Sequence, residues 1–285
     1  MDEKIPGMNN DSQPLVSIIM SVFNGEQFLQ QAIDSILSQT YSHWEFIIID
    51  DACNAATKSI LKRYDNDGRF KIITNTTNQG LTKNLNMAID FCEGEFIARM
   101  DGDDISLSER LNEQVNFLLK HQRTAAVFGF VDLVDEMGTF IGYWPDDRKA
   151  STYDKIKHRL PFSNCVAHPT VMIRKNVLQQ YKYNENQAYS QDWDLWLRLV
   201  SDGIIIEKIN KPVLLYRIHK NSVTKISNKR SAFLKIHKSY IRYLKKVWKD
   251  KKINGYNLLI HTGFILNLVK LGLSKIKRTF IANKS

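Results

Sequence analysis

Three carboxylates crowd around a glycine in Asp101-Gly-Asp103-Asp104, directly after the short apolar run Phe96 to Met100. Buried carboxylates are costly unless a positive partner offsets them, so this spacing suggests a cation site. An all-oxygen donor set favours a hard divalent ion, Mg²⁺ or Mn²⁺. Gly102 allows the tight backbone that turns two side chains toward one point. The same residues also fit an acidic turn, with Asp103 or Asp104 as a solvated turn residue or helix cap. Polar groups follow three other apolar runs as well: Ser21 to Asn24, Asp50-Asp51, and Asn75 to Asn78.

To act together, these groups need a scaffold that brings strand ends to one edge. The pattern predicts strands over Leu15 to Ser21, Trp44 to Ile49, Phe70 to Thr74 and Phe96 to Met100. Between them it predicts a helix with Phe28, Ile33, Ile36 and Leu37 on its apolar face, and helices over Thr57 to Tyr64 and Leu81 to Phe91. Alternating strands and helices read as an α/β fold with a parallel sheet, whose ligands sit outside the carboxyl ends of the strands. Further on, Leu107 to His121 and Ser190 to Val200 read as helices. Ala125 to Tyr143 reads as two strands joined at Asp135-Glu-Met-Gly138, and Ile204 to Ile206 and Val213 to Tyr216 as closing strands. Residues 145 to 165 carry no clear pattern. Ser21-Val-Phe-Asn24-Gly25 lacks both the dinucleotide glycines and the Walker lysine, so any bound nucleotide would depend on a metal for its phosphate charge.

The chain of 285 residues is long enough for a full core, and its composition is that of an ordinary globular protein. The net charge of +10 is unevenly spread. Residues 217 to 285 hold 18 lysines and arginines against one acid, Asp250; that segment carries +17 and the rest −7. Cys53, Cys92 and Cys165 are widely spaced, which suggests neither a disulfide framework nor a zinc pattern and fits a reducing cytoplasm. Residues 1 to 13 are polar, lack an apolar h-region, and read as a disordered lead-in.

Taken in order, Val16-Ser-Ile-Ile-Met-Ser-Val-Phe-Asn24, Ser38-Gln-Thr-Tyr, Phe46-Ile-Ile-Ile-Asp50-Asp51, Asn78-Gln-Gly-Leu and Gly94-Glu-Phe-Ile-Ala-Arg-Met-Asp101-Gly-Asp103-Asp104 resemble family 2 glycosyltransferases of the GT-A fold. The resemblance spans residues 14 to 220. It implies a Rossmann-like, mostly parallel sheet flanked by helices, here with a basic helical C-terminal appendage. It also implies an inverting transfer of a hexosyl or N-acetylhexosaminyl unit, commonly from a UDP-sugar, to a hydroxyl of a saccharide or lipid-linked acceptor. By the same resemblance Asp101 and Asp103 hold Mn²⁺ or Mg²⁺ against the donor diphosphate, and Asp101 with Gly102 lies against the nucleotide. Asp51 would accept from the uracil N3–H, unless it only caps the following helix. Ser21, Phe23 and Asn24 would touch the nucleotide, although a phenylalanine at a strand end is commonly core. Lys83 would reach the base or a phosphate, or else lie on a solvated helix face. The turn Asp51-Ala-Cys53-Asn departs from the family's Asp-Gly-Ser-Thr-like form.

In Ser190-Gln191-Asp192-Trp193-Asp194-Leu-Trp196, Asp192 matches the family's general base, and Gln191 stands where a glutamate is usual. Asp194 is the competing carboxylate, with a structural role expected. Trp193 is expected toward the acceptor and Trp196 inward. His219 is a possible metal or phosphate contact and His168 a helper near the acceptor cleft; either could instead be a satisfied core or surface histidine. Residues 225 to 273 read as basic amphipathic helices lying on an anionic membrane surface, on the inner face of the cell membrane. The apolar stretch Gly255 to Leu273 is interrupted by His261, Asn267 and Lys270, which argues against a span; packing on the catalytic domain or a partner is the alternative. No nucleic-acid-binding motif supports that use of the charge. A non-catalytic membrane-bound scaffold keeping the fold is the competing function, and a nucleotidyltransferase is disfavoured by the missing phosphate loop.

Overall fold

A computed structural model describes residues 13–187 and 190–220, scattered positions between 236 and 249, and 255–282. The expected lead-in, apart from its last residue, and much of the basic stretch between 221 and 254 lie outside the described residues. Four parallel strands form the first half of the sheet: β1 (Val16–Val22), β2 (Trp44–Asp50), β3 (Phe70–Thr74) and β4 (Phe96–Arg99), in the order β3-β2-β1-β4. The runs of β1, β2 and β4 are mostly apolar because both faces are covered, whereas the edge strand β3 is only partly buried. Ile19, Ile47 and Ile49 join one core, while Ile18, Met20, Phe46 and Ile48 point into the other. Helix α1 (Leu29–Leu37) buries Leu29, Ala32, Ile33 and Ile36 on the second face, whereas Leu37, expected on that stripe, is exposed. Helix α2 (Ala55–Leu61), capped by the Asn54 side chain, ends in a 3₁₀ turn; α3 (Leu81–Asp90) covers the first face with Leu85, Ala88 and Ile89.

The second half of the sheet is mixed. It comprises β5 (Ile105–Ser106), β6 (Thr124–Val134), β7 (Phe140–Tyr143), β8 (Met172–Arg174) and β9 (Ile205–Arg217), in the order β4-β8-β6-β9-β5 with β7 paired to β6. Strand β8 runs antiparallel to both β4 and β6, while β6 and β9 are parallel. The two expected closing strands are one continuous strand, β9. Helix α4 (Arg110–Lys120) packs Leu111, Val115 and Leu118 on the second face. The unpatterned stretch contains α5 (Pro145–Lys149) and α6 (Tyr153–Arg159), followed by α7 (Lys175–Tyr181) and α8 (Gln191–Ser201).

The final helix, α9 (Gly255–Ala282), lies partly on the α/β core. Tyr256, Ile260, Gly263 and Asn267, spaced for one helical face, are buried, and Tyr256 and Ile260 belong to the first core with Ile236, Tyr240 and Leu244. Leu258, Ile265, Leu266, Leu268 and Val269 are exposed. Among the described residues no helix is long and apolar enough to cross a membrane.

Candidate functional site

Because β1 to β4 are parallel, their carboxyl ends bring Phe23, Asp51, Asn75 and Asp101 to one edge of the sheet. Asp51 is buried there and gathers the loop after β3. Its Oδ1 accepts from Asn75 Nδ2 (2.9 Å) and Gln79 N (2.7 Å), and its Oδ2 from Gly80 N (3.0 Å). Gly80 sits at φ +83° and ψ 156°, a conformation open in practice only to glycine. The N-cap of α2 is Asn54, so Asp51 does not cap that helix. Asn75 Nδ2 also donates to Asn84 Oδ1 (2.8 Å), and Asn84 Nδ2 to Ser21 Oγ (3.0 Å), linking three strand ends through one buried amide. Asn84 acts as the hub of this rim. Phe23 is 54% exposed and is no core residue. Asn24 adopts φ +50° and its Oδ1 accepts from Asn54 N (2.8 Å). Lys83 is exposed on α3.

One oxygen each of Asp101, Asp103 and Asp104 lies within 4.8 Å of the others. Both Asp101 oxygens face the buried Arg99 guanidinium, and Asp103 Oδ2 stands 2.8 Å from His219 Nε2. Asp104 is fully buried; its Oδ1 accepts from Arg217 N (2.9 Å), while Oδ2 has no hydrogen-bond partner among the described residues. Burial, reinforced by Asp103 and Asp101, pushes Asp104 well above the usual carboxylate range. Burial also raises Asp101 to about 6, opposed by Arg99 and supported by Asp103 and Asp192. An orphaned buried oxygen among three mutually close carboxylates marks a place short of positive charge, and a hard divalent cation fits this donor set.

Arg217, which sequence reasoning passed over, holds this loop in place. Its Nε donates to Asp103 O (2.9 Å), Nη1 to Glu136 O (2.8 Å) and Nη2 to Gln31 Oε1 (2.7 Å). The guanidinium lies 4.5 Å from the Phe28 ring centre, and that ring is 5.1 Å from His219. The only advance signal was its place two residues before His219.

On the opposite side, Asp192 stands in the first turn of α8 and accepts from Asn164 Nδ2 (2.7 Å). Burial raises its pKa, opposed by backbone hydrogen bonding at Trp193 and by Asn164. The charge of Asp192 is near enough to Asp101 to oppose its ionisation. Asp194 instead pairs with Arg198 (3.0 Å) one turn along the helix. Trp196 is buried, edge-on to Phe128 at 5.0 Å. Trp193 is half-buried, packs on the core, and donates its indole N–H to Leu160 O (2.7 Å). His168 is buried as well, with Nε2 2.7 Å from Tyr183 Oη. Burial and the neighbouring Arg99 hold it neutral, well below the usual histidine range.

Comparison with known proteins bears on the family and the fold. The family model described as "Glycosyl transferase family 2" matches residues 17–182. The O-antigen biosynthesis glycosyltransferase WbnJ of Escherichia coli is 37% identical over 215 residues, covering 74% of this chain and 82% of that protein. The UDP-Glc:alpha-D-GlcNAc-diphosphoundecaprenol beta-1,3-glucosyltransferase WfgD of Escherichia coli is 28% identical, covering 92% of this chain and 94% of its own length. Among solved structures, mannosyltransferase PcManGT from Pyrobaculum calidifontis, in complex with GDP-Man and Mn²⁺, superposes with a TM-score of 0.65. It is 16% identical and covers 96% of this chain and 76% of that one, a likeness of fold.

Proposed function

The chain belongs to glycosyl transferase family 2 and is a glycosyltransferase with the GT-A fold; from that premise we propose a metal-dependent, inverting enzyme. It moves a hexosyl or N-acetylhexosaminyl unit from a UDP-sugar to a hydroxyl of a saccharide or lipid-linked acceptor, in the synthesis of cell-surface polysaccharide or glycolipid. The observation that carries this reading is the cluster of three mutually close carboxylates at the end of β4, with the charge of Asp192 near enough to Asp101 to oppose its ionisation. The names of WbnJ and WfgD, for O-antigen and for a diphosphoundecaprenol-linked acceptor, support the substrate classes.

Asp103, with Asp101 and His219 in reach, would hold Mn²⁺ or Mg²⁺, which when bound neutralises charge on the departing diphosphate. Asp51 retains acceptor capacity beyond its three hydrogen bonds and takes the uracil N3–H. Phe23 offers its exposed ring to the base. Ser21, Asn24 and Gly102 line the nucleotide, and Lys83 stands where it would meet a phosphate. Asp192 receives the acceptor hydroxyl's proton as the oxygen attacks the sugar opposite the leaving group, which inverts the anomeric centre. The basic C-terminal segment and the second apolar face of α9 support attachment to the anionic cytoplasmic surface of the membrane.

Isothermal titration with UDP and Mn²⁺, combined with a turnover screen of UDP-sugars, tests the reading. The wild type is expected to bind and turn over, Asp103→Ala to lose metal-dependent binding, and Asp192→Asn to bind normally without turnover. Wild-type affinity in Asp103→Ala would overturn the metal assignment, and absence of turnover in the wild type would favour a non-catalytic scaffold.

A further inference from the structure

The stretch from Leu160 to Cys165, for which the sequence offered no pattern, is pinned at several points. The Leu160 carbonyl accepts from Trp193 Nε1 (2.7 Å), next to the candidate base. The Pro161 carbonyl accepts from the Tyr240 hydroxyl, and a Cβ added to Gly263 of α9 would overlap that same carbonyl oxygen. The Cys165 carbonyl accepts from the buried Lys208 Nζ (2.9 Å). Between these anchors stands Asn164. Its Oδ1 accepts from Val166 N (3.2 Å), which orients the amide so that Nδ2 donates to Asp192 Oδ2 at 2.7 Å.

We infer that Asn164 is a positioning residue for the base, and that the C-terminal helices set its position by pinning this strap at Pro161. The inference rests on Asp192 being the base. One hydrogen bond occupies one carboxylate oxygen and fixes the rotation of the group, which leaves the other oxygen for the acceptor proton. A donor to the charged form also favours ionisation against the burial that opposes it. The tail thus reaches the chemistry through the backbone of residues 160 to 164. Glycine at 263 is what allows the helix to approach that closely.

The test is the pH dependence of Mn²⁺-dependent turnover of the UDP-sugar selected by the screen. It is paired with ¹³C-carboxyl NMR titration of aspartate-labelled protein, with the Asp192 signal assigned by its loss in Asp192→Asn. Asn164→Ala is expected to lower turnover roughly tenfold, as expected when a charged group loses one hydrogen bond. It should move both the acid limb and the Asp192 titration to higher pH, because the lost donor favoured the ionised form. Asn164→Asp moves both further in the same direction, since a second carboxylate opposes ionisation. Gly263→Ala, which separates α9 from Pro161, gives a smaller shift of the same sign while UDP–Mn²⁺ affinity stays within about twofold. An unmoved Asp192 titration in both Asn164 variants overturns the positioning role, whatever happens to turnover. An unmoved titration in Gly263→Ala overturns the part assigned to the tail. Full turnover by Asp192→Asn would remove the base assignment itself, an outcome distinct from either.

Discussion

At the residue scale, Ala52 explains how the altered turn after β2 keeps its shape. It adopts φ +59°, the left-handed region that the glycine usual at this place in the family takes freely. An alanine there costs about 1 kcal/mol, and Cys53 supports the turn by donating its backbone N–H to Asp50 Oδ1 (2.7 Å) and its thiol to Val22 O (3.2 Å). Ala52→Gly is therefore expected to stabilise the protein by about 0.5 kcal/mol after the greater freedom of the unfolded glycine is subtracted, raising Tm by roughly 1 °C. Differential scanning calorimetry checks this, and a fall in Tm would show that the turn is unstrained. The strand-end carboxylates, by contrast, were legible in advance. Asp51, Asp101, Asp103 and Asp104 each end a short apolar run, and such runs announce themselves in one dimension. The long-range partners were not, since nothing in the order of residues says that Arg217 reaches back to the Asp103–Asp104 loop or that Asn164 meets Asp192.

At the element scale, β9 shows where the period argument fails. Two short strands were expected because Glu207-Lys-Ile-Asn-Lys-Pro212 reads as a polar interruption, yet one strand runs from Ile205 to Arg217, its register against β6 shifting on the way. Lys208 is fully buried inside that interruption. Its Nζ donates to Asp147 Oδ1 (2.7 Å), Asp147 O and Cys165 O, while Asp147 Oδ2 accepts from Val131 N (2.8 Å). Every group of the pair is satisfied, so a lysine is tolerated where an apolar residue would otherwise stand. Lys208→Met leaves Asp147 buried without its cation and is expected to cost about 3–5 kcal/mol; adding Asp147→Leu should recover much of the loss. Urea unfolding of the two variants measures both terms. Equal stability of the single and double variants would mean that Asp147 is not held as an anion by Lys208. The same pair fastens α5 and Cys165 to the sheet, which accounts for the order of residues 145 to 165 despite their unremarkable sequence.

At the scale of the whole molecule, the charge asymmetry and the two-faced α9 belong together. One face is used by the catalytic domain; the other leaves Leu258, Ile265, Leu266, Leu268 and Val269 exposed in a segment that carries +17 with its flanks. The protein is expected to co-sediment with vesicles rich in anionic lipid at low salt and much less with zwitterionic ones. Leu258→Glu with Ile265→Glu should reduce that binding at least tenfold while UDP–Mn²⁺ affinity is kept. Retained vesicle binding by the double variant would place the membrane contact elsewhere. The sequence by itself determined the family, the parallel first half of the sheet and the acidic strand ends, because these follow from local periodicity and from residues adjacent in the chain. Only the tertiary structure decided that β8 runs antiparallel between β4 and β6, that His168 is buried against Tyr183, that Arg217 and Asn164 hold the two acidic centres, and that the tail docks at Pro161. Each of those depends on pairings across tens of residues, and their energies exist only once the chain has closed the loops between them.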